Sequence, residues 1–235
     1  MKTFIVGIAG ATGFRLARLL KGRGDRVGGL HRRSAQGEAL GAIGIVGTLG
    51  DLVQMDVNQL TQHFQGSDVI IFAAGAGDTD SDAMIDAIDG DGAAKAAAAA
   101  RQAEVRRFIL VSVFPEAGRN ENLGDSFEHY IAVKKRADVA LTKTDLDWVI
   151  LRPSTLINEA GIGTVSLGPA EVHTVVRRDD VAATIVELIH APAVTRVVLE
   201  LTHGTTPVAC AVAMLGRAET NVKSRLQPSN SARQK

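Results

Sequence analysis

Three glycines near the N-terminus have the spacing of a phosphate-binding turn. The segment Phe4-Ile5-Val6-Gly7-Ile8-Ala9-Gly10-Ala11-Thr12-Gly13-Phe14 is an apolar run, then Gly-x-x-Gly-x-x-Gly, then the start of a helical pattern. In such a strand-turn-helix the first glycine makes the tight turn. The second leaves room for a pyrophosphate to approach the backbone, and the third lets helix and strand pack closely. The phosphates then lie at the helix N-terminus, where free N–H groups and the helix dipole favour negative charge. Gly7, Gly10, Ala11, Thr12, Gly13 and Phe14 are therefore candidate dinucleotide-binding residues. About 20 residues further on, an NAD site places an acid on the ribose 2′-hydroxyl. Here the chain reads Leu30-His31-Arg32-Arg33-Ser34, with Glu38 as the next carboxylate. Guanidinium groups make bidentate, charge-assisted bonds to phosphate. Arg32 and Arg33 thus favour NADP(H) over NAD(H), against the alternative of two solvated surface arginines.

A glycine turn needs a sheet to hold it. Short apolar runs alternate with helical patterns along most of the chain, which is the sequence form of repeated βαβ units and a parallel sheet buried on both faces. Strands are expected at Thr3–Gly7, Arg26–His31, Gly44–Gly47, Asp68–Ala73, Arg107–Ser112, Leu146–Arg152 and Arg196–Leu201. Helices are expected near Phe14–Lys21, Val57–Phe64, Met84–Gln102, Ser126–Thr142, Asp179–His190 and Pro207–Arg217. The fold class is α/β, a single-domain Rossmann-type doubly wound parallel sheet, with ligands at the carboxyl ends of the strands. The alanine-rich run from Ala93 to Ala100 reads as a helix packed close to that sheet, since Ala favours helices. Residues 1–217 form the expected dinucleotide domain. The stretch from Arg217 to Lys235 is polar and without apolar periodicity, and reads as a disordered tail.

Composition narrows the function. With 235 residues, 26 Lys and Arg, and 26 Asp and Glu, the formal charge is zero, so no electrostatic footprint for nucleic acid or an anionic membrane is present. The apolar run at Thr3 to Val6 is far shorter than a signal-peptide core or membrane span. The one cysteine, Cys210, lies in an apolar stretch and reads as a buried structural thiol in a reducing cytoplasm. The acids Asp78, Asp80, Asp82 and Asp89 superficially resemble a calcium loop, but Ala83 stands where that loop needs Gly, and Asp89 where it needs Glu. No metal spacing of histidines and no Gly-x-Ser-x-Gly elbow occurs, which argues against a metal site and a hydrolase.

The order of further motifs resembles the atypical short-chain dehydrogenases/reductases, in particular a compact NAD(P)H-binding group often described as sugar epimerases or NADH-flavin reductases. The resemblance covers most of residues 3 to 212. It rests on the glycine loop, Phe72-Ala73-Ala74-Gly75-Ala76-Gly77, Asp89-Gly90-Asp91-Gly92, Phe108-Ile109-Leu110-Val111-Ser112, Tyr130-Ile131-Ala132-Val133-Lys134, Asp145 through Pro153, and Arg178-Asp179-Asp180-Val181-Ala182. It implies cofactor contacts at Ala73, Ala74, Gly75 and Pro153. It also implies that Tyr130 is the general acid/base, that Lys134 lowers the Tyr130 pKa and holds the nicotinamide ribose, and that Ser112 supplies the catalytic hydroxyl. Spacing of i,i+4 puts Tyr130 and Lys134 on one helix face, and Tyr130 is the chain's one tyrosine. Where extended members of the superfamily place Asn, this chain has Asp89, as the atypical group does. The stretch Pro153 to Gly168 reads as a substrate-side loop too short for a separate domain, which suits a small-molecule substrate. The implied function is an NADP(H)-dependent oxidoreductase acting on a small carbonyl or a flavin- or quinone-like molecule, as a monomer or homodimer. A non-catalytic NADP(H) sensor, a flavin reductase that needs no side-chain acid, and a nucleotide-sugar epimerase-like enzyme remain open.

Overall fold

The computed structural model describes residues 1–77, 80–118 and 121–216. Its centre is a nine-stranded sheet in the order β11-β8-β10-β6-β5-β4-β1-β2-β3. Seven of these strands run parallel: β3 (Thr48–Leu49), β2 (Arg26–His31), β1 (Lys2–Val6), β4 (Val69–Phe72), β5 (Arg107–Val111), β6 (Asp147–Pro153) and β10 (Val197–His203). At one edge β8 (Thr164–Gly168) joins β10 antiparallel, and β11 (Thr206–Pro207) joins β8 antiparallel. The chain order reverses between β1 and β4, the switch point at which a doubly wound sheet opens a ligand crevice.

Side chains alternate across a strand, so a continuous apolar run fills two cores. Ile5, Ile71, Ile109, Val149 and Leu199 face one side, where α1 (Ala11–Gly22) contributes Leu16 and Leu20 and α7 (Arg178–Ile189) contributes Val181 and Ile185. Phe4, Ile70, Phe72, Phe108, Leu110 and Ile150 face the other, against α3 (Val57–Phe64), α5 (Ala93–Gln102) and α6 (Asp125–Thr142). Ala96, Ala97, Ala99 and Ala100 of α5 are buried there, so the alanine-rich run is a packing surface. Lys95 leaves that face, and its ammonium donates to the Leu52 carbonyl at 2.7 Å, tying the turn after β3 to α5.

Several elements differ from expectation. An unforeseen α2 (Ser34–Ala42) follows β2; with two glycines and only Leu40 buried, it carries almost no apolar stripe. Its C-terminal turn uses Gly44 at φ +70° and the bond from the Ile45 N–H to the Leu40 carbonyl. That turn occupies the segment expected as the strand Gly44–Gly47, and β3 begins only at Thr48. The helix expected at Met84–Gln102 is α4 (Asp82–Ile85), a π-helical segment Asp86–Gly92, and α5. The stretch 153–168, expected as a loop, carries β7 (Thr155–Ile157) and β8, and β7 pairs parallel with β9 (Val175–Arg177) in a second small sheet. Residues 208–216 are helical (α8). Val208, Ala211 and Val212 are buried, which turns Cys210 to the opposite, exposed face and corrects its reading as a buried thiol. The stretch from Arg217, expected as a disordered tail, lies outside the described residues, as do Asp78 and Thr79. No helix among the described residues is long and apolar enough to cross a membrane.

Candidate functional site

The glycine turn has the geometry its spacing asks for. Gly7 sits at φ +88°, open only to glycine without strain, and a Cβ there would lie 2.6 Å from the Ala74 nitrogen. A Cβ on Gly13 would lie 2.2 Å from the Gly7 carbonyl, so this position sets the approach of α1 to β1. Gly10 differs: a Cβ there would meet only the Gly7 carbonyl, at 3.2 Å, and its free side faces the cleft. Gly10 is also the N-cap of α1, with no capping side chain and no acid in the first turn. The positive end of α1 is thus left for an anion from outside the chain.

That anion would sit in a cleft of about 630 Å³ at the carboxyl ends of β1 and β4. Gly7, Gly10, Ala11, Thr12, Arg32, Ala73, Ala74 and Gly75 line it. Gly13 and Phe14 do not; Gly13 packs on the turn, and Phe14 packs against the core under α1. Arg32 stands at the cleft end of β2, exposed and in no ion pair with a described residue. Arg33 is the N-cap of α2 and is not part of the wall. Both of their amides donate to the Gln36 side-chain oxygen, at 3.1 and 3.0 Å, which holds the turn that presents Arg32.

Other wall residues were not anticipated. Asp51, Leu52 and Val53 close the far end, where Asp51 accepts the Val53 N–H at 2.9 Å and Lys95 anchors the turn from below. Their only sequence signal is a Gly-Asp pair after a strand too short to recognise. Leu156 and Arg178 close the opposite wall. Arg178 donates to the Leu156 carbonyl at 3.1 Å and the Asn158 side chain at 3.0 Å. Beside it, Asp179 accepts from Gly161 and from Arg15 of α1, and Asp180 accepts from Ile162 and Gly163. The acids at the start of α7 therefore fasten the segment after β7 to α1.

Tyr130 and Lys134 lie on α6, one turn apart, and Tyr130 is half-buried beside Phe127 at a ring separation of 6.0 Å. Lys134 is only 3% exposed; its ammonium donates to the Val111 carbonyl at 2.9 Å and pairs with Asp89 at 3.4 Å. Burial alone disfavours that ammonium, but the Coulombic pull of Tyr130, Asp89 and Asp138 outweighs it and raises the Lys134 pKa above the ordinary lysine value. Asp89 comes from the π-helical segment, and its other oxygen accepts the Ala76 N–H at 2.8 Å. A single residue thus joins the loop after β4 to the lysine of α6. Ser112 directly follows β5, with its N–H on the Leu151 carbonyl at 2.7 Å, and its hydroxyl is buried with no hydrogen-bond partner among the described residues. Pro153 is buried at the end of β6, where its carbonyl accepts the Phe114 N–H at 3.2 Å. Ser112, Tyr130, Lys134 and Pro153 stand outside the residues that line the cleft itself.

Among the described residues no group of three or more His, Cys, Asp or Glu is placed to hold a metal. Of the acids in the calcium-like run, Asp80 accepts the Gly77 N–H and Asp82 accepts the Ser126 hydroxyl. Both act as local loop and helix contacts.

Comparison with known proteins agrees with this geometry. Residues 7–192 match the model of a family described as NAD(P)H-binding. The chain is 34% identical over 216 residues to a Bacillus subtilis protein named uncharacterized sugar epimerase YhfK, covering 92% of this chain and all of the relative. A Bacillus halodurans structure, assigned by name only to the NAD-dependent epimerases/dehydratases, superposes with a TM-score of 0.82 at 29% identity, covering 91% of this chain and 99% of that one. The Lactococcus lactis oxidoreductase ylbE superposes at 0.78 with 29% identity, covering 92% and 96%. A glycine cradle shaped for a pyrophosphate, on a sheet with this strand order, is consistent with the resemblance to the atypical short-chain dehydrogenases/reductases, and the chain belongs to the NAD(P)H-binding family.

Proposed function

We propose that this chain is an NADP(H)-dependent oxidoreductase that reduces a small carbonyl or a flavin- or quinone-like acceptor, with Tyr130 as the proton donor. The observation that carries the reading is that Tyr130 and Lys134 stand one turn apart on α6, with the Lys134 ammonium held by the Val111 carbonyl and Asp89. The nicotinamide would supply the hydride. The chain's own part is to seat the pyrophosphate on the Gly10–Thr12 amides, hold the 2′-phosphate with Arg32, and deliver a proton. Ser112 would orient the acceptor, and Pro153 with residues up to Gly168 would border it. Residues 1–217 form the working domain in this reading, in a monomer or homodimer of the cytoplasm. The names of the Bacillus subtilis and Bacillus halodurans relatives leave an epimerase-like reaction as the neighbouring possibility. A non-catalytic NADP(H) sensor is favoured only by the burial of Lys134 and Ser112 and their absence from the cleft lining. Oxidation of NADPH is the deciding measurement, screened against carbonyls, quinones and flavins beside a binding titration. Turnover with any acceptor supports the enzyme; tight binding with no turnover supports the sensor.

Cofactor choice has its own test. Arg32→Ala removes a charge-assisted contact and should weaken NADPH binding by about 1.5–3 kcal/mol while leaving NADH within about twofold. Calorimetric titration of both cofactors reads the ratio. Equal losses would mean that Arg32 does not read the 2′-phosphate. Gly10→Val tests the cradle: its added methyls would enter the space reserved for the pyrophosphate, and such overpacking costs about 1–3 kcal/mol of dinucleotide affinity. The fold should survive with a modest loss of melting temperature, because a Cβ at Gly10 meets only the Gly7 carbonyl, at 3.2 Å, and Val is a poorer N-cap than Gly.

A further inference from the structure

Asp89 is a carboxylate that the proton-transfer scheme above does not use, yet it is 1% exposed and faces the catalytic helix. One oxygen is held by the Ala76 N–H at 2.8 Å, and the other lies 3.4 Å from the Lys134 ammonium. A carboxylate is buried at such a depth only when it is paired. Its delivery is also specific: the π-helical segment Asp86–Gly92 interrupts an otherwise α-helical run and turns Asp89 inward. An unpaired ammonium beside a phenol favours the phenolate, because opposite charges stabilise one another. An ammonium already neutralised by a carboxylate does so far less.

The remaining groups around Lys134 do not restore the missing positive charge. On α6 the other acid facing it, Asp138, is held by Arg152 of β6 at 2.9 Å. From β5 come only the Val111 carbonyl and the uncharged hydroxyl of Ser112. From the loop after β4 comes the Ala76 N–H, which Asp89 already accepts. Asp86, His129 and Arg136 form a separate, more exposed network, in which Asp86 pairs with both basic side chains.

We propose that Asp89 is a positioning residue that sets the charge of the Tyr130–Lys134 pair: it neutralises the buried ammonium, so that Tyr130 keeps its proton at neutral pH and the site works in the reductive direction. This rests on the reading of Tyr130 as proton donor. In that direction a carbonyl carbon gains a hydride from NADPH, which becomes NADP⁺. The carbonyl oxygen takes the Tyr130 proton to give an alcohol, and solvent reprotonates the tyrosinate. A site with an unneutralised lysine would hold a phenolate more readily and would suit alcohol oxidation, where the tyrosine accepts a proton.

Tyr130 is the chain's one tyrosine, so the ultraviolet absorbance of its phenolate can be titrated directly, with neither cofactor nor acceptor present. The parent should ionise at or above the ordinary tyrosine range, about 10. Asp89→Asn, which keeps the shape and can still accept from Ala76, should raise the ionisation constant by about tenfold or more. Asp138→Asn should raise it less, since Arg152 already holds that charge. A parent midpoint near neutrality, an unchanged midpoint in Asp89→Asn, or an equal shift in both variants would each overturn the proposal. Trp148 fluorescence reports whether each variant folds. If Asp89→Asn does not, the parent midpoint still decides. Should no acceptor be reduced in the turnover screen, the oxidoreductase reading fails, while this titration still reports whether Asp89 sets the charge of the pair.

Discussion

Tyr130→Phe is expected to lower turnover of a carbonyl acceptor by about 10²–10⁴-fold, the usual contribution of a positioned proton donor, with NADPH affinity nearly unchanged. The ring and its contact with Phe127 remain, so the apolar packing there should be kept. Only the hydroxyl is lost, and Tyr130 is not among the residues that line the dinucleotide cleft. Initial rates of NADPH oxidation beside a binding titration measure both quantities. A variant that oxidises NADPH as fast as the parent with a flavin or quinone would mean that hydride passes directly between stacked rings and the tyrosine is a bystander. An equal fall in affinity and turnover would instead mean that Tyr130 holds the cofactor.

Lys134→Met should act first on the fold. Met fills a similar volume but leaves Asp89 as a buried carboxylate without its counter-charge, a change that costs about 3–5 kcal/mol. Urea melts at neutral pH measure it. The pH dependence has a definite sign. The Lys134 pKa is raised in the folded state. Its stabilisation is therefore fully present below the free-chain value, about 10.4, and is lost as pH rises through the higher folded value. The gap between parent and variant should stay constant from neutral pH to about 10 and narrow above that. A gap that closes near neutrality would show that the ammonium is not held by its neighbours. Asp89→Asn should relieve part of the penalty in the Lys134→Met background, because the two side chains act as one pair.

Much of this protein is readable along the chain. The apolar runs at Phe4–Val6, Val69–Phe72 and Phe108–Leu110 needed no tertiary information, since strands buried on both faces are continuously apolar. The glycine turn was legible for the same local reason: Gly7 needs a positive φ, and Gly13 needs the space that any side chain would fill. The i,i+4 dyad on α6 follows from helix geometry alone. Elements without a local signature escaped. The helix α2 carries almost no apolar stripe, and β3 is two residues long and displaced by the cap of that helix. The short strands β7, β8 and β11 form because partners distant in sequence pair with them, so their propensity is borrowed from β9, β10 and β8 in turn.

The site divides along the same line. Residue types and spacing determined what could bind a phosphate and which tyrosine has a lysine one turn away. Only the tertiary structure decided that Arg32 and not Arg33 lines the cleft, because α2 begins at Arg33 and Gln36 holds both amides. Only the tertiary structure likewise decided that Lys134 is buried against an acid 45 residues earlier in the chain (134 − 89). A carboxylate at position 89 is visible in the sequence, but its charge matters through a distance of 3.4 Å, which the π-helical segment and the packing of α6 across it create.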